Sequence, residues 1–228
     1  MKIYFKHFIL FALIASIISC KKDNYEEPTS LLNGRIVYQG EALNVEHNQV
    51  PFELYQYGFG KTGAISGTFT QDGTYSALLF DGNYKFIIPG GQGPFLSRPD
   101  SMNITMQGSQ TLDIEVTPYF MVRTPMFTAS GGIISASAKI EKIVTDPANA
   151  KDIESISLYL NKTQFVSSAN NLSFADSTGA SIMDLNNVTL SASVPAIVPT
   201  QNYVFARIGI KIAGVEDRIF SPVQKIQL

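Results

Sequence analysis

The sequence predicts an all-β protein: two antiparallel β-sandwich domains in tandem behind an N-terminal export signal. After residue 20 the apolar residues recur with period two in short runs, and no long stretch repeats every 3.6 residues. Asp-Gly, Gly-Asn and Pro-Gly pairs punctuate those runs at strand-length intervals. The composition supplies 15 Phe and 10 Tyr but no Trp, and its many Val, Ile and Leu residues suit pleated, half-buried surfaces.

The chain opens on a basic head of Met1, Lys2 and Lys6, followed by an apolar run over residues 8–18 and then Ser19-Cys20. That run is shorter than the roughly 20 residues a bilayer requires, so it reads as a cleavable signal and not as a membrane span. Lys21 to Ser30 (KKDNYEEPTS) is polar, lacks apolar periodicity and reads as a flexible tether.

From residue 31 the strands follow in order. Leu32, Gly34, Ile36 and Tyr38 share one face of the first, with Asn33, Arg35 and Val37 opposite. Phe52 and Leu54 alternate with Glu53 and Tyr55, Tyr75, Ala77 and Leu79 with Ser76 and Leu78, and Tyr84, Phe86 and Ile88 with Lys85 and Ile87. Leu112, Ile114 and Val116 close the series before Pro118. A second series sets Ile134, Ala136, Ala138 and Ile140 inward, then Ile156, Leu158 and Leu160, then Val188, Leu190, Ala192 and Val194. Val204, Ala206, Ile208, Ile210 and Ile212 follow, and a last strand runs through Phe220 and Val223. Residues 147–152 have room for one helical turn.

Charge and cysteine usage exclude several classes. The 17 Lys and Arg less Lys2 and Lys6 leave 15 basic against 19 acidic residues, a mature net charge near -4 without a basic cluster; this argues against nucleic acid. Cys20 is the single cysteine, so no disulfide braces either domain and the cores must suffice. With the signal removed, His47 is the one histidine left for any triad or metal site. It lies in the polar segment Asn44-Val45-Glu46-His47-Asn48 and reads as an exposed loop residue. Asp146, Asp152, Glu154, Asp176 and Asp184 read as solvated turn acids, not as the opposed carboxylate pair a glycosidase needs. Asp184-Leu185-Asn186-Asn187 offers fewer oxygens than calcium takes. The expectation is therefore no enzyme, no catalytic residue, no metal and no cofactor.

A small residue before a lone cysteine resembles the lipobox of bacterial lipoproteins, which implies that Cys20 is the acylated anchor. Residues 31 to 88 resemble the carboxypeptidase-regulatory-like, or prealbumin-like, domain, through Gly34-Arg35-Ile36-Val37, Asp72-Gly73-Thr74-Tyr75 and Gly82-Asn83-Tyr84-Lys85. In that arrangement Asp-Gly turns join strands, and the following Tyr fills the sandwich. Tyr203 to Val223 resembles the last two strands of a fibronectin type III or immunoglobulin-like module. The whole order resembles a family of uncharacterised Bacteroidetes lipoproteins, a domain of unknown function whose members accompany starch-utilisation-type importers. The resemblance implies a division into a signal peptide (1–19), the lipidated Cys20 with a tether (20–30), a carboxypeptidase-regulatory-like sandwich (31–118) and a fibronectin-III/Ig-like sandwich (119–228). It also implies a lipid-anchored outer-membrane protein on the cell surface, with the periplasmic face left open. The importer and its glycan-binding lipoprotein would then be its partners.

Glycan binding rests on aromatic faces flanked by amides and carboxylates. Tyr55-Gln56-Tyr57-Gly58-Phe59-Gly60 is the best such cluster, which makes Tyr55, Tyr57 and Phe59 the candidate glycan-binding residues. The alternative is a structural or adhesive spacer without glycan binding. Gly90-Gly91-Gln92-Gly93-Pro94-Phe95-Leu96 reads as a hinge or latch between the domains in preference to a ligand loop, because no strand-to-helix context follows its glycines. Asp100-Ser101-Met102 and Asp176-Ser177-Thr178 resemble the short O-glycosylation motif of exported Bacteroidetes proteins.

Overall fold

Alternating apolar side chains in the first half of the chain close into two facing layers. The computed structural model describes residues 26–58, 63–98 and 100–228. In the first layer, β1 (Ser30–Tyr38) pairs antiparallel with β5 (Thr74–Leu79) and with the short β2 (Glu41–Ala42). In the second, β3 (Pro51–Gln56) lies between β4 (Ala64–Thr68) and β6 (Gly82–Ile87), and β7 (Met102–Met106) extends β6.

Two short segments, β8 (Gln110–Thr111) and β9 (Ile114–Glu115), then run along the other edge of β1 and pair with it in parallel. The direction has a simple cause. The chain leaves β7 at the end of the domain where β1 begins, so the returning segment must travel the same way as β1.

Phe52 and Leu54 from one layer meet Leu32, Ile36 and Tyr75 from the other, all buried. Phe52 stacks on Phe86 with centroids 5.2 Å apart and meets the Tyr75 edge at the same distance. Both Tyr residues that follow the Gly-containing turns point inward, as expected. Each hydroxyl is satisfied in the core, Tyr75 donating to the Leu112 carbonyl at 2.7 Å and Tyr84 to that of Phe80 at 2.8 Å. Gly73 is required at its turn, since its φ is 76° and an added Cβ would stand 2.1 Å from the Leu43 carbonyl oxygen.

The second half repeats the plan with longer strands. β10 (Phe120–Ser130), β11 (Ile133–Lys142) and β14 (Val188–Ser193) form one layer. β12 (Ile153–Asn161) is flanked by β13 (Ser173–Thr178) and β15 (Tyr203–Ile212), and β16 (Arg218–Phe220) and β17 (Gln224–Gln227) both pair with β15. The predicted inward residues of β11, β12 and β15 are buried.

Residues 147–149 form the single turn for which the sequence has room, with the Asn149 and Ala150 amides both donating to the Asp146 carbonyl. Other features depart from the sequence expectation. Asp176 sits mid-strand in β13, facing outward, and not at a turn. Tyr159 and Arg207, on the supposed outer face of their strands, are buried. The cause is that β16 and the 162–172 segment cover that face, with Tyr159, Val166 and Phe220 forming a second small cluster.

Burial of Arg207 marks the junction of the two sandwiches. Its Nη2 donates to the Val45 carbonyl at 2.7 Å, its Nη1 reaches Gln71 Oε1 at 3.4 Å, and its guanidinium lies 3.6 Å over the Phe220 ring. Gln71 Nε2 in turn donates to the Gln164 carbonyl at 2.9 Å, and the Phe220 amide donates to Asn44 at 2.9 Å. Glu46, also buried, accepts from the Ser168 hydroxyl, and Glu41 pairs with Arg123. Asp217 receives the Gly93 amide at 2.6 Å. Apolar packing continues through these polar contacts, because the buried side chains of both sandwiches form one cluster. The buried Gly93–Phe95 stretch of the 90–98 loop, Asn44–Glu46 and Gln71 therefore belong to one surface facing the C-terminal sandwich.

Truncating Arg207 removes the stacking plane and leaves the Val45 carbonyl without its donor. Arg207→Ala is expected to cost about 3 kcal/mol and to lower the melting temperature by roughly 6 to 12 °C in a circular dichroism melt. Arg207→Lys, which keeps the charge but neither the fork nor the plane, should fall between the two.

Asp217 yields a pH test. Burial pushes its carboxyl above the ordinary value, with Glu216 and Glu46 adding to the shift and the Gly93 amide opposing it. A raised folded-state value favours the folded chain below the unfolded carboxylate range, and that contribution is lost as pH rises through the folded value. Asp217→Asn keeps an acceptor for Gly93 and cannot ionise. Urea titrations should show the variant gaining on the parent between about pH 4 and pH 7, and a gap that narrows instead would show that burial is not the governing cause.

Candidate functional site

β3 alternates strictly, so Phe52 and Leu54 enter the core while Glu53 and Tyr55 face out, and Tyr57 follows on the same side. Tyr57 is 50 % exposed and Tyr55 is half-buried. Register places Lys85 opposite Tyr55 and Asn103 opposite Lys85. The Tyr57 amide bonds the Asn83 carbonyl at 3.3 Å, and Asn83 lies opposite Thr105. Two rings, an ammonium, two amides, a hydroxyl and a carboxylate thus share one open sheet face.

Local contacts order this face. The Lys85 ammonium lies 5.5 Å from the Tyr57 ring centroid, a cation–π distance. The Tyr55 hydroxyl donates to Glu53 Oε2 at 2.7 Å, and that bond raises the phenol above its ordinary value, with slight burial and the Glu53 charge adding to it. Thr105 donates to Asn83 Oδ1 at 2.9 Å. The arrangement can stack on an apolar sugar face and offer donors and acceptors at its rim. Among the described residues of this face, none is a nucleophile hydrogen-bonded to a base. Phe59, the third predicted ring, lies outside the described residues, as does Cys20.

Of the sequence candidates, the structure brings together Tyr55 and Tyr57. Asn83, Lys85, Asn103 and Thr105 were missed because strand pairing, not sequence proximity, delivers them. The outward position of Lys85 between the inward Tyr84 and Phe86 was the one available signal.

His47 is only half-buried and not the fully exposed loop residue expected. Its ring packs on Phe165 with centroids 4.8 Å apart, and its Nδ1 is buried without a partner. The 162–172 segment crosses its loop, which no local pattern announces.

The acids Asp146, Asp152, Glu154, Asp176 and Asp184 are exposed and scattered. Among the described residues no group of three or more His, Cys, Asp or Glu could hold a metal ion. Asp184 Oδ1 accepts from the Asn186 amide at 2.8 Å, an ordinary Asx turn. A shallow pocket of about 370 Å³ lies in the C-terminal sandwich beside Phe120, Lys142, Asp152 and Ile182. It is remote in sequence from the ring face and carries no catalytic grouping.

Residues 30–117 match the N-terminal domain of a protein of unknown function, DUF3823, and residues 120–225 match the C-terminal domain of unknown function of the same family. No curated protein matches. A DUF3823 family protein from Parabacteroides merdae is 35 % identical, with a TM-score of 0.79 over 89 % of this chain and 100 % of that one. A second, from Bacteroides ovatus, is 29 % identical, with a TM-score of 0.78 over 88 % of this chain and all of that one. A protein from Bacteroides uniformis, provisionally named a carbohydrate binding protein, shares the fold at 20 % identity, with a TM-score of 0.67 over 88 % of this chain and 100 % of its own. Neither matched family describes a catalytic activity. Two tandem matches in the same order, spanning nearly all of the described chain, make this protein a member of the DUF3823 family.

Proposed function

We propose that this protein is a non-catalytic lipoprotein of the outer membrane. It is anchored through Cys20 and serves as an accessory to a polysaccharide uptake system by holding glycan on the outer face of β3 and β6. The observation that carries the reading is the half-exposed Tyr57 ring beside Tyr55, rimmed by Asn83, Lys85 and Asn103 on a flat sheet surface. A sugar ring lays its CH face on such a surface while its hydroxyls find amide and charged partners at the edge. The provisional name of the Bacteroides uniformis relative points in the same direction. An open face of this kind suits weak, multi-contact binding of a chain more than tight capture of one small molecule.

A second reading, a spacer that positions other components without touching glycan, draws on the junction. A guanidinium buried between two sandwiches ties the two domains together, which is what a spacer needs.

Affinity electrophoresis across a panel of polysaccharides separates the readings. Retardation by at least one polymer is expected. Tyr55→Ala with Tyr57→Ala should weaken it about tenfold, in line with roughly 0.5–1.5 kcal/mol per aromatic contact. Unchanged mobility of the folded parent in every gel would leave the spacer reading.

A further inference from the structure

Sheet faces that meet water are normally polar, and most of the outer face of the β1–β5 layer obeys this. Asn33 bonds Thr111 at 2.6 Å there, and Arg35 lies 3.7 Å from Asp113. Toward the end where β1 begins, the same face turns apolar. Leu31 pairs directly with Leu78, and the exposed Phe80 follows one residue past the end of β5, in the same phase as Leu78. Their exposures are 37 %, 57 % and 40 %. Three large apolar side chains thus stand together on one corner of the domain.

That corner is also where the tether arrives. Ser30 opens β1 and bonds Asp81, while the Leu31 amide donates to the Ser109 hydroxyl oxygen at 3.0 Å and the Gly108 amide donates to Asp81 at 2.9 Å. The C-terminal sandwich docks at the opposite end, on the residues after β1 and before β5: Asn44, Val45 and Gln71. Only nine residues separate Cys20 from Ser30, a reach on the order of 35 Å even when fully extended. A lipid on Cys20 therefore holds this corner within that distance of the membrane surface.

We infer that Leu31, Leu78 and Phe80 form a membrane-contact patch, and that the N-terminal sandwich leans on the lipid through this face of its β1–β5 layer. The inference rests on the proposed acylation of Cys20. Three partly exposed side chains bury too little area to hold a protein on a bilayer alone, since even one myristoyl chain binds only marginally. Tethering makes the contact intramolecular, and a small apolar gain then sets orientation. The geometry has a further consequence. The two layers face each other across the core, so their outer faces look opposite ways, and leaning on Leu78 turns Tyr55 and Tyr57 away from the lipid.

Acylation of Cys20 leaves an introduced cysteine as the single free thiol, which makes the test direct. Full chains carrying Leu78→Cys or Tyr57→Cys are produced with the export signal, extracted from membranes, labelled with an environment-sensitive fluorophore and reconstituted in phosphatidylcholine vesicles containing spin-labelled lipid. A blue shift and quenching at position 78, with neither at position 57, are expected. Leu31→Cys repeats the measurement from the paired strand if Leu78→Cys fails to fold. Equal quenching at both faces, or none at 78 and 31, overturns the lean while leaving the anchor intact. Intact mass settles the anchor separately, and an unmodified Cys20 overturns anchor and patch together.

Discussion

A guanidinium with no exposed surface is expensive to place, and the architecture is organised around having placed one. Arg207 comes from the middle of the longest strand of its sheet, and its polar partners come from the other sandwich. Burial pulls its pKa below the ordinary value, with the Glu46 charge opposing that shift. No carboxylate contacts it directly, so a carbonyl, an amide and the Phe220 ring stand in for the lost water. Each of those groups must be held still. The Asn44–Phe220 bridge, the Gln71–Gln164 bond and the Asp217–Gly93 bond do this, which is why loops that look free in the sequence are pinned. Nε of Arg207 and of Arg218 are buried without partners, so the junction is not fully satisfied. Its value is alignment of two domains more than net stability.

What could be read from the sequence depended on how many faces of a strand meet the core. β11 and β14 each bury one regular face, and β12 and β15 bury both faces over Ile156–Leu160 and Ala206–Ile210 while keeping large apolar residues on alternate positions, so the alternation of all four was plain. β4 and β13 are edge strands with little buried on either side, so AISGT and SFADST carry no periodic signal. β10 hides for another reason. A register shift between Arg123 and Met126, with Thr124 at a φ of 45° before Pro125, breaks its alternation midway. Arg207 was visible as a charge among apolar neighbours, but its polar partners lie 136 and 162 residues away in the chain. No local pattern could have supplied them.

The candidate site divides in the same way. Tyr55 and Tyr57 were legible because two aromatic residues with period two, next to glycine, announce an outward strand end. Their rim was not, because Lys85 and Asn103 reach it through pairing of β3 with β6 and β6 with β7. Glycine and proline signals located the 90–98 loop correctly as irregular. Its contact with Asp217 required knowledge of where a strand 124 residues on would end.

Rigidity at the junction and asymmetry at the tether end combine into one mechanical statement. With a loose junction, the posture of the N-terminal sandwich on a surface would say nothing about the C-terminal one. Here one cluster of buried side chains runs through both domains and a buried charge locks them, so any tilt set at Leu31, Leu78 and Phe80 is passed to the far end of the molecule. The three apolar side chains inferred to meet the lipid would then govern where β13, β17 and the exposed surface around them are presented. The glycan binding proposed for the β3–β6 face would gain from the same arrangement, since a ring pair held at a fixed height and angle loses less orientational entropy for each contact than one on a swinging domain.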